Sequence, residues 1–162
     1  MVFRKMRRFR QQLTKSECDA ILSTATSGTL ALLGDNGYPY AVPISYVYAD
    51  GKLYFHSAKT GHKVDAIRQY DKASFCVIAA DYIHPAEFTT YFRSVIAFGR
   101  IQIIESEDER MYAATVLGAR YNPGDDVGLH KELEKGLAHM LVLRLDIEHI
   151  TGKEAIELVR GK

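Results

Sequence analysis

The chain has 162 residues, 21 Lys and Arg against 20 Asp and Glu, a formal net charge of +1 and 47% hydrophobic residues. That length suits one domain with a core of its own. Balanced charge, 4 Pro and 12 aperiodic Gly exclude disordered and collagen-like chains.

The N-terminus is basic. Arg4, Lys5, Arg7, Arg8 and Arg10 precede the first acid, Glu17, and leave 16 positive against 20 negative charges in the remainder, a net of −4. Gln11, Gln12 and Thr14 interrupt any apolar stretch a secretory signal would need. No second basic cluster continues the patch, so residues 1–13 read as a solvated or partner-docking arm rather than a nucleic-acid clamp. Residues 14–162 read as a single domain. Thr14 and Glu17 form a T-x-x-E capping box before Cys18, Ile21 and Leu22, and the helix they open should end before Gly28.

The period then changes. Thr29–Leu33 is a short apolar run, and Asp35-Asn36-Gly37 is a hairpin signal. Tyr38–Tyr48 follows, with Tyr40, Val42, Ile44, Tyr46 and Tyr48 on one face. Asp50-Gly51 turns into Lys52–Ser57, which completes a three-stranded meander. Pro39 and Pro43 require its middle segment to be an edge strand or to carry a bulge.

A short helix is predicted from Gly61 to about Tyr70, and strands over Ala73–Ala80 and Tyr91–Ile104, the latter bent at Gly99. Ser106 and Glu109 make a second capping box, for a helix to about Arg120. Tyr121–Gly128 reads as a loop, Lys131–Leu137 as a short helix and His139–Glu148 as the final strand, ending before Thr151-Gly152. Six strands joined mostly by hairpins imply a mainly β, antiparallel sheet whose twist favours a small barrel. No apolar run approaches the roughly 20 residues of a membrane-spanning helix. Cys18 and Cys76 are too few and too far apart for a disulfide scaffold, which suits a reducing, cytoplasmic setting.

The densest polar cluster is His56-Ser57-Ala58-Lys59-Thr60-Gly61-His62-Lys63, between a strand end and a helix start. Helix N-termini present free N–H groups and partial positive charge, which suits phosphate. Lys63 adds a full charge, and Ser57 and Thr60 add hydroxyl donors. The pattern is not a P-loop, and an ordinary solvated loop is the equal alternative from these residues alone. Tyr38, Tyr40, Tyr46, Tyr48 and Tyr54 fall in one segment, which suits either strand propensity or a ligand wall. The six His show no metal-ligand spacing, and there is no G-x-S-x-G elbow or G-x-G-x-x-G fingerprint.

The run GTLALLGDNGYPYAVPISYVYADGKLYFHSAKTGHKVDAI resembles the FMN-binding split-barrel proteins, and within them the pyridoxamine 5′-phosphate oxidase-related group that includes nitroimidazole-resistance reductases. Tyr91–Gly99 and Asp146–Lys153 extend the likeness, which spans most of residues 14–155. The resemblance implies a six-stranded antiparallel split barrel, a homodimer and FMN in clefts at its interface. It places the flavin ring along Pro43, Ile44, Ser45 and Tyr46. It puts His56, Ser57 and Ala58 beside the ribityl chain or phosphate, and Gly61, His62 and Lys63 at the phosphate. Ser94 and Val95 would contribute from the partner subunit or the long strand. A donor such as NAD(P)H and a small nitroaromatic or quinone-like acceptor would share the cleft, with His56 and Tyr46 as candidates for tuning or proton delivery. No metal is implied. The chain lacks tryptophan and an Arg-rich C-terminal substrate segment, so pyridoxamine phosphate oxidation itself is not carried over. A non-catalytic flavin-sensing module, a haem binder and a deazaflavin reductase are the alternatives.

Overall fold

Thr14 opens the first helix by both halves of the capping box. Its hydroxyl accepts the Glu17 N–H, and the Glu17 carboxylate accepts the Thr14 N–H at 2.8 Å. The computed structural model describes residues 2–160. Helix α1 (Lys15–Thr24) is followed by β1 (Ser27–Leu33), β2 (Pro39–Ser45), β3 (Val47–Ala49) and β4 (Lys52–Ser57). Next come α2 (His62–Gln69), β5 (Lys72–His84) and β6 (Thr89–Ile103). Helices α3 (Glu107–Tyr121) and α4 (Asp126–Gly136), strand β7 (Leu141–Glu154) and α5 (Ile156–Arg160) complete the chain.

All pairings are antiparallel, in the order β2-β1-β5-β6-β7-β4-β3. The described residues thus form seven strands rather than six. The additional strand arises at Tyr46, where the segment read as one strand divides. Its two halves do not form the expected meander. β2 pairs only with β1 and β3 only with β4, at opposite edges of the sheet. One residue joins those edges, so the sheet must curl until they meet. This gives a barrel with one seam that no ladder closes. β2 is an edge strand, as Pro39 and Pro43 require.

The register sorts side chains into two faces. Val42, Leu30, Phe75 and Ala97 form a cross-strand row facing the core. The next row, Pro43, Thr29, Cys76, Ile96 and Thr151, faces outward. A second small core lies between α3 and the outside of the sheet, where Val47, Tyr54 and Val142 meet Ala113 and Leu117. At Gly99 the β6–β7 register shifts, and a Cβ there would stand 2.0 Å from the Asp146 carbonyl oxygen. Only glycine allows that approach.

Several elements differ from the sequence expectation, and β5 runs on to His84 rather than ending at Ala80. Helix α4 starts at Asp126 because the Asp125 side chain caps it, accepting the Gly128 N–H at 2.9 Å. Strand β7 runs through Thr151-Gly152, since Gly152 pairs with Val95 and accepts the Leu13 N–H at 3.0 Å. The second capping box is only half formed. The Ser106 hydroxyl caps α3, but the Glu109 carboxylate pairs with Arg144 on β7.

The N-terminal arm is also not wholly solvated. Leu13 and Gln11 are buried, and the Gln11 side-chain amide donates to the Glu154 carbonyl at 2.9 Å. Phe3 stacks on His149 with ring centroids 4.4 Å apart. The arm therefore lies along β7.

Candidate functional site

The turn between β4 and α2 gathers the polar cluster. Gly61 is the residue before α2, with φ +129° and ψ 167°, a conformation that L side chains rarely adopt. No side chain caps this helix; the Val64 and Asp65 N–H groups bond the Gly61 carbonyl, and those of His62 and Lys63 are not taken by a cap. Lys63 is half-buried in the first turn, and burial pushes its ammonium pKa below the ordinary lysine value. No acidic side chain pairs with it among the described residues. Ser57 is buried at the end of β4, and Ala58 is exposed beside it. A cationic side chain, hydroxyls and free N–H groups at one helix start can hold a phosphate ester.

His62 has a different partner. Its ring stacks on Tyr40 of β2 at 4.1 Å, and its Nε2 accepts the Asp35 N–H at 3.3 Å. The side chain is thus committed to the β1–β2 turn, and only its backbone N–H remains for a phosphate. The same stacking brings the start of α2 against β2, so Pro43, Ile44 and Ser45 lie on the strand that borders the cluster. Pro43 is exposed, and Ile44 and Ser45 are half-buried.

Tyr46 is a clear correction. It is 1% exposed, its ring meets Phe75 edge-on at 4.8 Å, and its hydroxyl donates to the Leu22 carbonyl at 2.7 Å. Burial pushes the phenol pKa up to about 12. A group sealed in the core cannot touch a substrate or deliver a proton to one. Only its backbone adjoins the candidate ring wall.

His56 is exposed on the outer side of β4, paired in register with Val142. Its ring stands perpendicular to that of Tyr121, with centroids 6.4 Å apart. Ser94 and Val95 do not join the cluster within one chain. They lie on β6, three strand steps from β2, roughly 14 Å along the sheet. Val95 is fully buried, so its side chain is a core residue, while Ser94 is half-buried on the outer face. No group of three or more His, Cys, Asp or Glu is placed to hold a metal among the described residues. No described helix is long and apolar enough to cross a membrane.

Sequence reasoning missed the walls contributed by α3 and α4 beside His56. Leu117, Tyr121, Leu129 and Leu133 belong to no motif, and only the helix spacing of four residues marks them as paired stripes.

The fold agrees with a family comparison. The family model described as pyridoxamine 5′-phosphate oxidase matches residues 14–154. The chain belongs to this family. No curated protein matches the sequence. Among solved structures, a candidate 5-nitroimidazole antibiotic resistance protein from Bacteroides thetaiotaomicron superimposes with a TM-score of 0.75 at 19% identity, over 88% of this chain and 86% of that one. A conserved hypothetical protein from Mycobacterium tuberculosis gives 0.83 at 16% identity, over 98% and 94%. The FAD and haem binding protein from Mycobacterium smegmatis gives 0.76 at 26% identity, over 90% and 73%. These likenesses support the split-barrel architecture of this family member.

Proposed function

We propose that this pyridoxamine 5′-phosphate oxidase family member is a cytoplasmic flavoprotein oxidoreductase that binds FMN at a homodimer cleft. The reading rests on one observation above the others. At the start of α2, Gly61 and Lys63 form a cationic, N–H-rich turn whose lysine is half-buried and has no acidic partner among the described residues. A phosphate monoester would supply the missing counter-charge. Structures with this fold include one named for FAD and haem binding and one named for nitroimidazole resistance, which fits a flavin and a small organic acceptor.

In this reading Lys63, the N–H groups of His62 and Lys63, and the Ser57 hydroxyl hold the phosphate. Ala58 leaves room for the ribityl chain. The edge of β2 at Pro43, Ile44 and Ser45, with the Tyr46 backbone, forms the ring wall. Ser94 and the Val95 backbone come from the second copy, because within one chain they lie too far along the sheet. Bound there, FMN supplies electron transfer from a donor such as NAD(P)H to a small nitroaromatic or quinone-like acceptor. His56, exposed at the end of β4, carries an imidazole that can donate or accept a hydrogen bond.

Titration of the cofactor-free protein with FMN and with riboflavin tests this. Binding of FMN at least 100-fold tighter than riboflavin, lost with Lys63→Ala, is expected. Equal binding of both, or of neither, would overturn the phosphate site.

A further inference from the structure

On the outer side of β4, a cleft of about 240 Å³ separates α3 from α4. Leu117 and Tyr121 on α3 and Leu129 and Leu133 on α4 line it, together with Met140 and, from β4, His56. The spacing of four residues within each helix turns these side chains toward each other. Among the described residues, none of the lining side chains is acidic or a Lys or Arg. The polar groups at the cleft are the His56 imidazole and the Tyr121 hydroxyl. Such a site, apolar-walled with few convergent polar groups, is the common form of a small-molecule pocket.

The size narrows the occupant. An apolar cavity of about 150 Å³ holds benzene, so this cleft accommodates one aromatic ring with a substituent. A charged molecule would find no countercharge among the described lining side chains and would lose hydration there. A neutral imidazole carries one N–H, which suits a substituent that accepts a hydrogen bond. Tyr121, 58% exposed, stands perpendicular to His56 at the rim and leaves the mouth open to solvent.

We propose that the α3–α4 cleft binds an uncharged one-ring aromatic molecule whose hydrogen-bond-accepting substituent faces His56. His56 and Ser57 are consecutive on β4, so their side chains point to opposite faces of the sheet and the cleft is separate from the proposed phosphate cluster. As a binding cleft it stands without the flavin reading.

Nitrobenzene serves as the probe, with 4-nitrobenzoate as its charged counterpart, followed by amide and methyl NMR on the full cofactor-free chain. Saturable shifts confined to α3, α4 and the end of β4, nuclear Overhauser contacts from the ring to the Met140 methyl, and at least tenfold weaker binding of 4-nitrobenzoate are expected. Leu129→Trp fills the cleft from a half-buried position and should remove nitrobenzene binding at least tenfold while FMN affinity stays within twofold. Absence of saturable shifts, or nitrobenzene contacts only to residues outside the α3–α4 walls, would overturn the cleft whatever Leu129→Trp does. FMN uptake is measured separately. FMN binding without nitrobenzene binding sinks this inference alone. Nitrobenzene binding without FMN uptake sinks the flavin reading and leaves the cleft.

Discussion

The Tyr46 hydroxyl donates to the Leu22 carbonyl at 2.7 Å. Tyr46 is the single residue between β2 and β3, the two edges of the sheet, and Leu22 belongs to α1. The bond therefore ties the helix to the point where the sheet turns back on itself. Tyr46→Phe keeps the ring against Phe75 and leaves the Leu22 carbonyl without this donor. A loss of about 1 kcal/mol in denaturant unfolding is expected, with FMN affinity within twofold of the parent. A fall in flavin turnover without loss of stability would instead return Tyr46 to the site.

The same tyrosine sets an alkaline dependence. Its folded pKa is about 12, against 10.0 for an unperturbed phenol. Above pH 10 the unfolded chain gives up a proton that the folded chain keeps. The contribution is complete below pH 10 and is lost as pH rises through 12. The parent's advantage of about 1 kcal/mol over Tyr46→Phe should shrink across that window and then reverse sign, with a slope of up to about 1.4 kcal/mol per pH unit. Parallel urea titrations at stepped pH measure it, and a constant difference would contradict the buried phenol.

Arg120 closes the end of α1. Its guanidinium donates to the carbonyls of Ser23, Thr24 and Ala25 at 2.8, 2.8 and 2.6 Å. These are carbonyls that the helix end leaves without intrahelical donors. Arg120→Ala should cost about 1–2 kcal/mol, since the bonds are charge-assisted but largely exposed. Arg120→Lys should recover less than half, because one ammonium cannot span the fork. Thermal melts of the three proteins decide it.

Much of this architecture is legible in the sequence for local reasons. Thr14 and Glu17, Pro39 and Pro43, and Gly99 each carry their constraint within a few residues of themselves, and the structure honours each. The break at Tyr46 is not legible, because alternation continues through it and only the distant pairings of β2 and β3 show that the strand changes edges. Glu109 is misread for a similar reason, as the Arg144 side chain on β7 takes the carboxylate that a local box would use. In the candidate site, the helix start at Gly61 and Lys63 is legible from glycine and charge. The commitment of His62 to Tyr40 and Asp35 is not, since it spans 27 residues.

The shared-cleft reading makes the outward face of β5 and β6 an interface. Ile78 on that face is 68% exposed in the single chain and pairs in register with Ser94. Ile78→Glu should give a monomer by analytical ultracentrifugation, with a near-parent circular dichroism spectrum and at least tenfold weaker FMN binding. A monomeric parent that binds FMN tightly would contradict the shared cleft.

The most direct measurement is the visible absorption spectrum of the purified protein, with the released cofactor identified by mass. The account predicts a flavin spectrum and the mass of FMN at one per chain, and stoichiometric uptake of added FMN where the protein is purified empty. A haem or deazaflavin spectrum, or an empty protein that takes up no FMN, would contradict it.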